Sequence, residues 1–316
     1  MTETGKSMKH LHIATPLLEH RSLSARLRKQ VWLKMESAQP AGSFKLRGIG
    51  LMCQRAAERG ARHFVCPSGG NAGFAAAYAG VALQIPTTIY VPETTHETVR
   101  AAIRAIGATV VVSGSVWDET NQQALRACDQ PGVVYIPPFD HPDIWDGNAS
   151  LIDEVAGQVS FDVVICSVGG GGLLSGVVAG LRRNGLAHIP VIAVETEGAA
   201  SLHASVQAGQ RVTLPAITSI ATTLGARQVA EHAFALTREH DIRTVTVSDA
   251  QAVAACLRFA DEMRTLVEPA CGATLAVADQ QLPVLAPFAR PLLVVCGGIA
   301  VDLAKLAAWK TQFLPD

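Results

Sequence analysis

Three short stretches hold the residue types from which chemistry could be built: "SFKLRG" at 43–48, "PSGGNAG" at 67–73 and "SVGGGGLLSG" at 167–176. In the first, Lys45 stands between Phe44 and Leu46 at the start of a helical pattern. A lysine held among apolar groups loses hydration, which disfavours the ammonium and frees a neutral amine to act as nucleophile or base. The same residue is equally at home on a solvated helix face. In the third stretch Gly169, Gly170, Gly171 and Gly172 lead from the apolar run "DVVIC" into an Ala/Leu/Val-rich helix. Glycine lets successive amides point inward and the helix N-terminus adds a positive dipole end, so together they make a phosphate cup. Leu174 falls where a dinucleotide fingerprint needs Gly or Ala, and no G-x-x-x-x-G-K-[ST] loop is present, which points to a small phosphorylated cofactor. In the second stretch Ser68 and Asn71 either cap the next helix or, with Gly69 and Gly70, hold an anion such as a substrate carboxylate.

Loops of this kind need strands and helices to carry them. Short β-branched runs ("HFVC", "TTIYV", "ATVVVSG", "DVVICSV", "VIAVET", "RTVTVS", "PLLVVC") alternate with Ala/Leu-rich segments of helical length. That alternation predicts parallel sheets buried on both faces, an α/β fold. The stretch "VYIPPFDHPDIWDGNAS" at 134–150 breaks the rhythm and is read as a crossing between two sheets. Two such sheets would offer a cleft at the carboxyl ends of their strands.

Composition narrows the classes further. The chain has 316 residues, 49% of them hydrophobic and 17% charged, which allows one large or two modest cores. With 26 basic and 27 acidic residues, and no basic run, a nucleic-acid partner is excluded. No signal peptide and no long apolar run are present, so no membrane is expected and a cytoplasmic location is. Seven cysteines, an odd number without a C-x-x-C pair, fit a reducing compartment and no structural zinc.

Taken together, "SAQPAGSFKLRGIG", "SGGNAGFAAAYAG", "VYIPPFD", "SVGGGGLLSGVVAGL", "AVETEGAASLHA", "ITSIATTLGA", "LVEPACGATLA" and "VVCGG" resemble, in order, segments of the fold type II pyridoxal phosphate enzymes, and among these the serine dehydratases of the liver type. The resemblance spans about residues 10 to 310. It implies two doubly wound, mostly parallel sheet domains with pyridoxal 5′-phosphate in the cleft between them: residues 1–40 and 139–316 forming the large domain, 41–138 a small mobile one. It further implies that Lys45 bonds the cofactor covalently, that Phe44 and Thr223 cover the ring faces, and that Gly169 to Gly172 hold the phosphate. Asn71 would meet the ring hydroxyl and Cys296 the pyridine nitrogen. Ser68, Gly69, Asn71 and Ala72 would hold the substrate carboxylate, with Lys45 and Ser68 catalytic. Glu195, with oxygens at Gly169, Ala199, Ser201, Leu224 and Ala226, would hold a monovalent cation, potassium by resemblance. A homodimer is implied as well.

The implied reaction is α,β-elimination from L-serine or L-threonine, giving pyruvate or 2-oxobutanoate and ammonia. Lys45 would act as general base, and a thiol at 296 would make a weaker electron sink than a carboxylate. Some positions depart from the family pattern: Gly69 and Thr223 stand where alanine is expected, and Thr222 where lysine is. Rival activities on the same scaffold are an amino-acid racemase and a β-replacement synthase, the latter having Asp after its lysine where Leu46 stands here. A non-catalytic binding protein would not need Lys45, Ser68, Asn71 and the tetraglycine together. The given sequence ends with "AVDLAKLAAWKTQFLPD", which leaves no room for an effector-binding domain, so a catabolic role without isoleucine feedback is expected.

Overall fold

The computed structural model describes residues 9–314. Its strands are β1 (Leu17–Glu19), β2 (Trp32–Lys34), β3 (His63–Cys66), β4 (Thr87–Val91), β5 (Thr109–Val112), β6 (Val133–Tyr135), β7 (Val163–Ser167), β8 (Val191–Thr196), β9 (Ile242–Val247) and β10 (Pro291–Val294). All seven runs read as strands from their β-branched content are strands. They assemble into a six-stranded sheet of order β1-β2-β10-β7-β8-β9 and a four-stranded sheet of order β5-β4-β3-β6. Every pairing is parallel except β1 with β2. Strands β7, β8 and β10 are buried along their whole length, as continuous apolar strands covered by helices on both faces must be.

Each sheet changes winding direction once. The chain lays β8 and β9 to one side of β7, then returns to place β10 on the other side; likewise β4 and β5 lie to one side of β3, and β6 to the other. Loops leaving neighbouring strands in opposite directions open a crevice at their carboxyl ends, where ligands of such sheets bind. The tetraglycine turn follows β7, Cys296 follows β10, and "PSGGNAG" follows β3.

The segment at 134–150 does cross between the two sheets, but little of it is irregular chain. It begins in β6 and ends in the helix Pro142–Val155, which leaves only 136–141 to connect the sheets. Proline at the first helical turn is pre-set for helix, and His141 Nδ1 accepts the Asp143 amide at the cap. This helix serves both halves: Ile144 packs in the core of the small sheet, while Leu151, Ile152 and Val155 pack in that of the large one. The helix Lys45–Glu58 crosses it at Gly48 and Gly147, where a Cβ on Gly147 would lie 2.3 Å from the Arg47 carbonyl oxygen.

That crossing is fastened by charge. Arg47, fully buried, pairs with Glu36 (Nε to Oε2, 2.6 Å) and with Glu154 (Nη1 to Oε1, 2.6 Å), and Lys34 adds a second cation on Glu154. Thr15 Oγ1 donates to Glu36, so the two carboxylates are met by two cations and a hydroxyl. Buried charges need such complete pairing to be tolerated. The consequence is that the residue two places after Lys45 cannot shift.

Candidate active site

Lys45 is the first residue of its helix, and the three residues before it are stitched to the turn after β10. Phe44 N donates to Cys296 O (3.1 Å), Gly298 N to Gly42 O (2.9 Å), and Ser43 bridges to Gly297. Lys45 Nζ donates to the Pro138 carbonyl and lies 5.4 Å from the Phe44 ring centre and 5.9 Å from that of Phe139. Burial lowers its pKa to about 8, against an opposing pull from Cys66, Glu268 and Cys296. At neutral pH roughly a tenth of the amine is then unprotonated, several hundred times more than for an ordinary lysine.

Phe139 also meets the tetraglycine loop. A Cβ on Gly170 would sit 2.4 Å from the Phe139 ring, so only glycine lets the ring lie flat on the loop. Gly171 caps the following helix with φ +96°, a backbone state that side chains rarely adopt. The carbonyls here are occupied: Ala230 N donates to Gly170 O and Asn148 Nδ2 to Gly172 O. The amides of Gly169 to Gly172 donate to no described residue. Unpaired amides at a buried turn are rare, and several converging at a helix start fit the phosphate that the resemblance implies.

Ser68 and Asn71 do not cap their helix. The N-cap is Gly70, without a side-chain hydrogen bond, because both side chains are committed elsewhere. Ser68 Oγ accepts Gly70 N (3.3 Å), and the amides of Gly69, Asn71 and Ala72 have no described partner, which suits a carboxylate. Asn71 Oδ1 accepts Ile299 N (3.0 Å) and its Nδ2 donates to Glu268 Oε1 (2.9 Å). Thr223 Oγ1 donates to that same oxygen (2.6 Å), which brings Asn71 and Thr223 together. Cys296 is buried beside Ser167 Oγ (3.6 Å); a hydrogen bond with Cys271 and burial hold its thiol well above the usual range, so it is neutral.

Glu268 and Phe139 are residues to which the motifs assigned no role. Phe139 carries no chemical group to notice, and Glu268 looks like an ordinary helix-start acid before Pro269. Only the fold shows that its carboxylate is buried among candidate site residues. Burial raises its pKa, while hydrogen bonds from Thr223, Ala300 and Asn71 favour the charged form.

Of the residues suggested for a cation, the structure sets Gly169 against Leu224 and Glu195 against the start of the helix Ser201–Ala208. A Cβ on Gly169 would lie 3.0 Å from Leu224 Cα, and Gly169 follows the strand paired with the one carrying Glu195. Glu195 is fully buried and accepts the amides of Leu202 (2.9 Å) and His203 (2.7 Å); burial raises its pKa to about 7. Thr196 Oγ1, next in sequence, and Ser201 Oγ, at the start of the following helix, are buried and have no hydrogen-bond partner among the described residues. Ala199 is buried and Ala226 half-buried, the latter donating its amide to Leu224 O (2.8 Å). Among the described residues no three His, Cys, Asp or Glu side chains are arranged to hold a metal ion.

Comparison with known proteins adds an independent line. A family profile described as "Pyridoxal-phosphate dependent enzyme" matches residues 8–297. The chain is 47% identical over 313 residues to the L-serine dehydratase/L-threonine deaminase of Homo sapiens, covering 96% of this chain and 95% of that protein. It is also 47% identical over 311 residues to a serine dehydratase-like protein of Rattus norvegicus, with 95% and 94% covered. Among solved structures, a fungal L-serine ammonia-lyase from Rhizomucor miehei superposes with a TM-score of 0.92 at 35% identity, over 97% of this chain and 100% of that one.

Proposed function

Because the chain belongs to the pyridoxal-phosphate dependent enzymes, we propose that it is a lyase that deaminates L-serine and L-threonine to pyruvate and 2-oxobutanoate by loss of the β-hydroxyl and then ammonia. The observation that carries this is a lysine with a depressed pKa and a loop of four glycine amides without a partner among the described residues, both beside Phe139. When bound, pyridoxal phosphate supplies the electron withdrawal that makes the substrate Cα–H acidic.

The chain's own residues do the rest. Lys45 would hold the cofactor, and its Nζ, as a neutral amine, would take the proton from the substrate Cα. Gly169 to Gly172 would hold the phosphate through their amides, and Phe44 and Thr223 would flank the ring. Ser68 with the amides of Gly69, Asn71 and Ala72 receives the substrate carboxylate. Cys296, a neutral thiol, lends no negative charge at the ring nitrogen, which favours prompt departure of a β group over return of the proton to Cα.

Potassium belongs to the same reading. Glu195, buried without a basic partner, and the unpaired Ser201 hydroxyl support a hard monovalent ion there, with carbonyls of Gly169, Ala199, Leu224 and Ala226 completing the oxygen set. The homodimer rests on the family resemblance, as does mobility of the small domain at 41–138, whose first helix is held at Arg47 by Glu36 and Glu154.

The test is product analysis. Purified protein loaded with cofactor is given L-serine and, separately, L-threonine; keto acid and ammonia should appear in equal amounts, faster with potassium than with a bulky organic cation. Mostly D-serine with little pyruvate would replace the lyase by a racemase.

A further inference from the structure

We propose that Thr223, Glu268 and Asn71 form a positioning relay that presents an N–H of Asn71, and not its carbonyl, to the bound cofactor. This rests on the reading of the cleft as the cofactor site. The argument starts from the donor and acceptor inventory of an asparagine side chain, which has two N–H donors and one carbonyl oxygen. Asn71 Oδ1 is taken by the backbone N–H of Ile299 (3.0 Å), and Nδ2 gives one of its two hydrogens to Glu268 Oε1 (2.9 Å). Turning the amide over would set NH₂ against N–H at Ile299 and oxygen against oxygen at Glu268. The second N–H is therefore the one donor Asn71 has left, beside a single lone pair on an oxygen already held by Ile299.

What prevents that reversal is Glu268, and what holds Glu268 is Thr223. The carboxylate is 2% exposed. Its Oε1 accepts from both Asn71 and Thr223 Oγ1 (2.6 Å), and its Oε2 accepts Ala300 N (3.3 Å). One face lies against Gly298, which has φ +125° and where a Cβ would come within 1.9 Å of Glu268 Cδ. With that face blocked, the carboxylate has one seat. Thr223 supplies the shortest of its hydrogen bonds, from a position where the family pattern has alanine. Beyond the relay lies a cavity of about 280 Å³ lined by Thr222, Thr223, Glu268, Ala300, Lys305 and Trp309. A side chain of equal size at 223 therefore fits without disturbing the core.

An N–H directed at the ring hydroxyl stabilises that oxygen as an anion, which favours the visible-absorbing form of the bound cofactor over the near-ultraviolet one. Thr223→Val keeps the shape and removes the donor; Thr223→Ser keeps the donor. The relay predicts that Thr223→Val binds pyridoxal phosphate about 5- to 10-fold more weakly and has a lower ratio of visible to near-ultraviolet absorbance, with Thr223→Ser restoring both. Glu268→Gln should show the same spectral change, more strongly. Equal affinity and equal spectra in Thr223→Val and wild type would overturn the relay while leaving the cofactor site in place. A wild type with no visible band at all would overturn the cofactor reading, and the relay with it.

Discussion

Lys45 combines two properties that are seldom found together: a place at a helix start, where the chain direction is fixed, and surroundings that strip water from its amine. Its pKa of about 8 makes a prediction with a definite sign. Below that value the neutral fraction grows about tenfold per pH unit and above it levels off, so the rate at which cofactor-free protein takes up pyridoxal phosphate should rise to about pH 8 and then flatten. A rise continuing to pH 10 would mean an ordinary, solvated lysine. Gly69 gives a second prediction. A methyl group there would sit 3.1 Å from Val91 Cγ1 and 3.2 Å from Thr95 Cγ2, so Gly69→Ala must push the Ser68 turn or its neighbours by a few tenths of an ångström. KM for L-serine should rise severalfold, on the order of 1 kcal/mol, with the cofactor spectrum unchanged; an altered spectrum would show that the turn also holds the cofactor. Lys45, Ser68, Asn71 and the glycines could be read from the sequence because their types are chemically distinctive. Glu268 could not, because a glutamate before a proline has an ordinary explanation until its burial is known.

At the scale of elements, the crossing of the helices Lys45–Glu58 and Pro142–Val155 turns a loop lysine into a fixed one. Removing the Arg47 guanidinium leaves the fully buried Glu36 without its cation, and breaking a buried pair from one side costs about 3–5 kcal/mol. Arg47→Ala should thus lower the thermal midpoint by several degrees and weaken cofactor binding through the shifted Lys45. If the midpoint is unchanged, the pairing is replaceable and Lys45 is held by other contacts. The strands visible in the sequence were those with unbroken β-branched runs, since burial on both faces demands that pattern. Strands β1, β2 and β6 escaped notice because three residues each are too few to show a period. The helix at 142–155 was hidden by prolines that mark loops in general but at a first helical turn mark a start.

In the whole molecule the two sheets change direction at β7/β10 and at β3/β6, and these places supply the tetraglycine loop, the Cys296 thiol, the Ser68 turn and the carbonyl over Lys45. Ligands that bind only this assembled arrangement must stabilise it. Pyridoxal phosphate at a hundred times its dissociation constant should add about 2.7 kcal/mol, read as a higher thermal midpoint, and potassium should add a further increment that disappears in Glu195→Gln. An increment that survives Glu195→Gln would place the ion elsewhere. The fold class was legible from alternation alone, whereas the meeting of distant segments such as Asn71 with Glu268 depends on contacts across nearly two hundred residues, which no local pattern carries. The most direct measurement is reduction of the cofactor-loaded protein with borohydride, followed by peptide mapping. The account predicts a single phosphopyridoxyl group, on Lys45, formed in step with the loss of pyruvate production; a label on Lys34 or Lys305, or none at all, would contradict it.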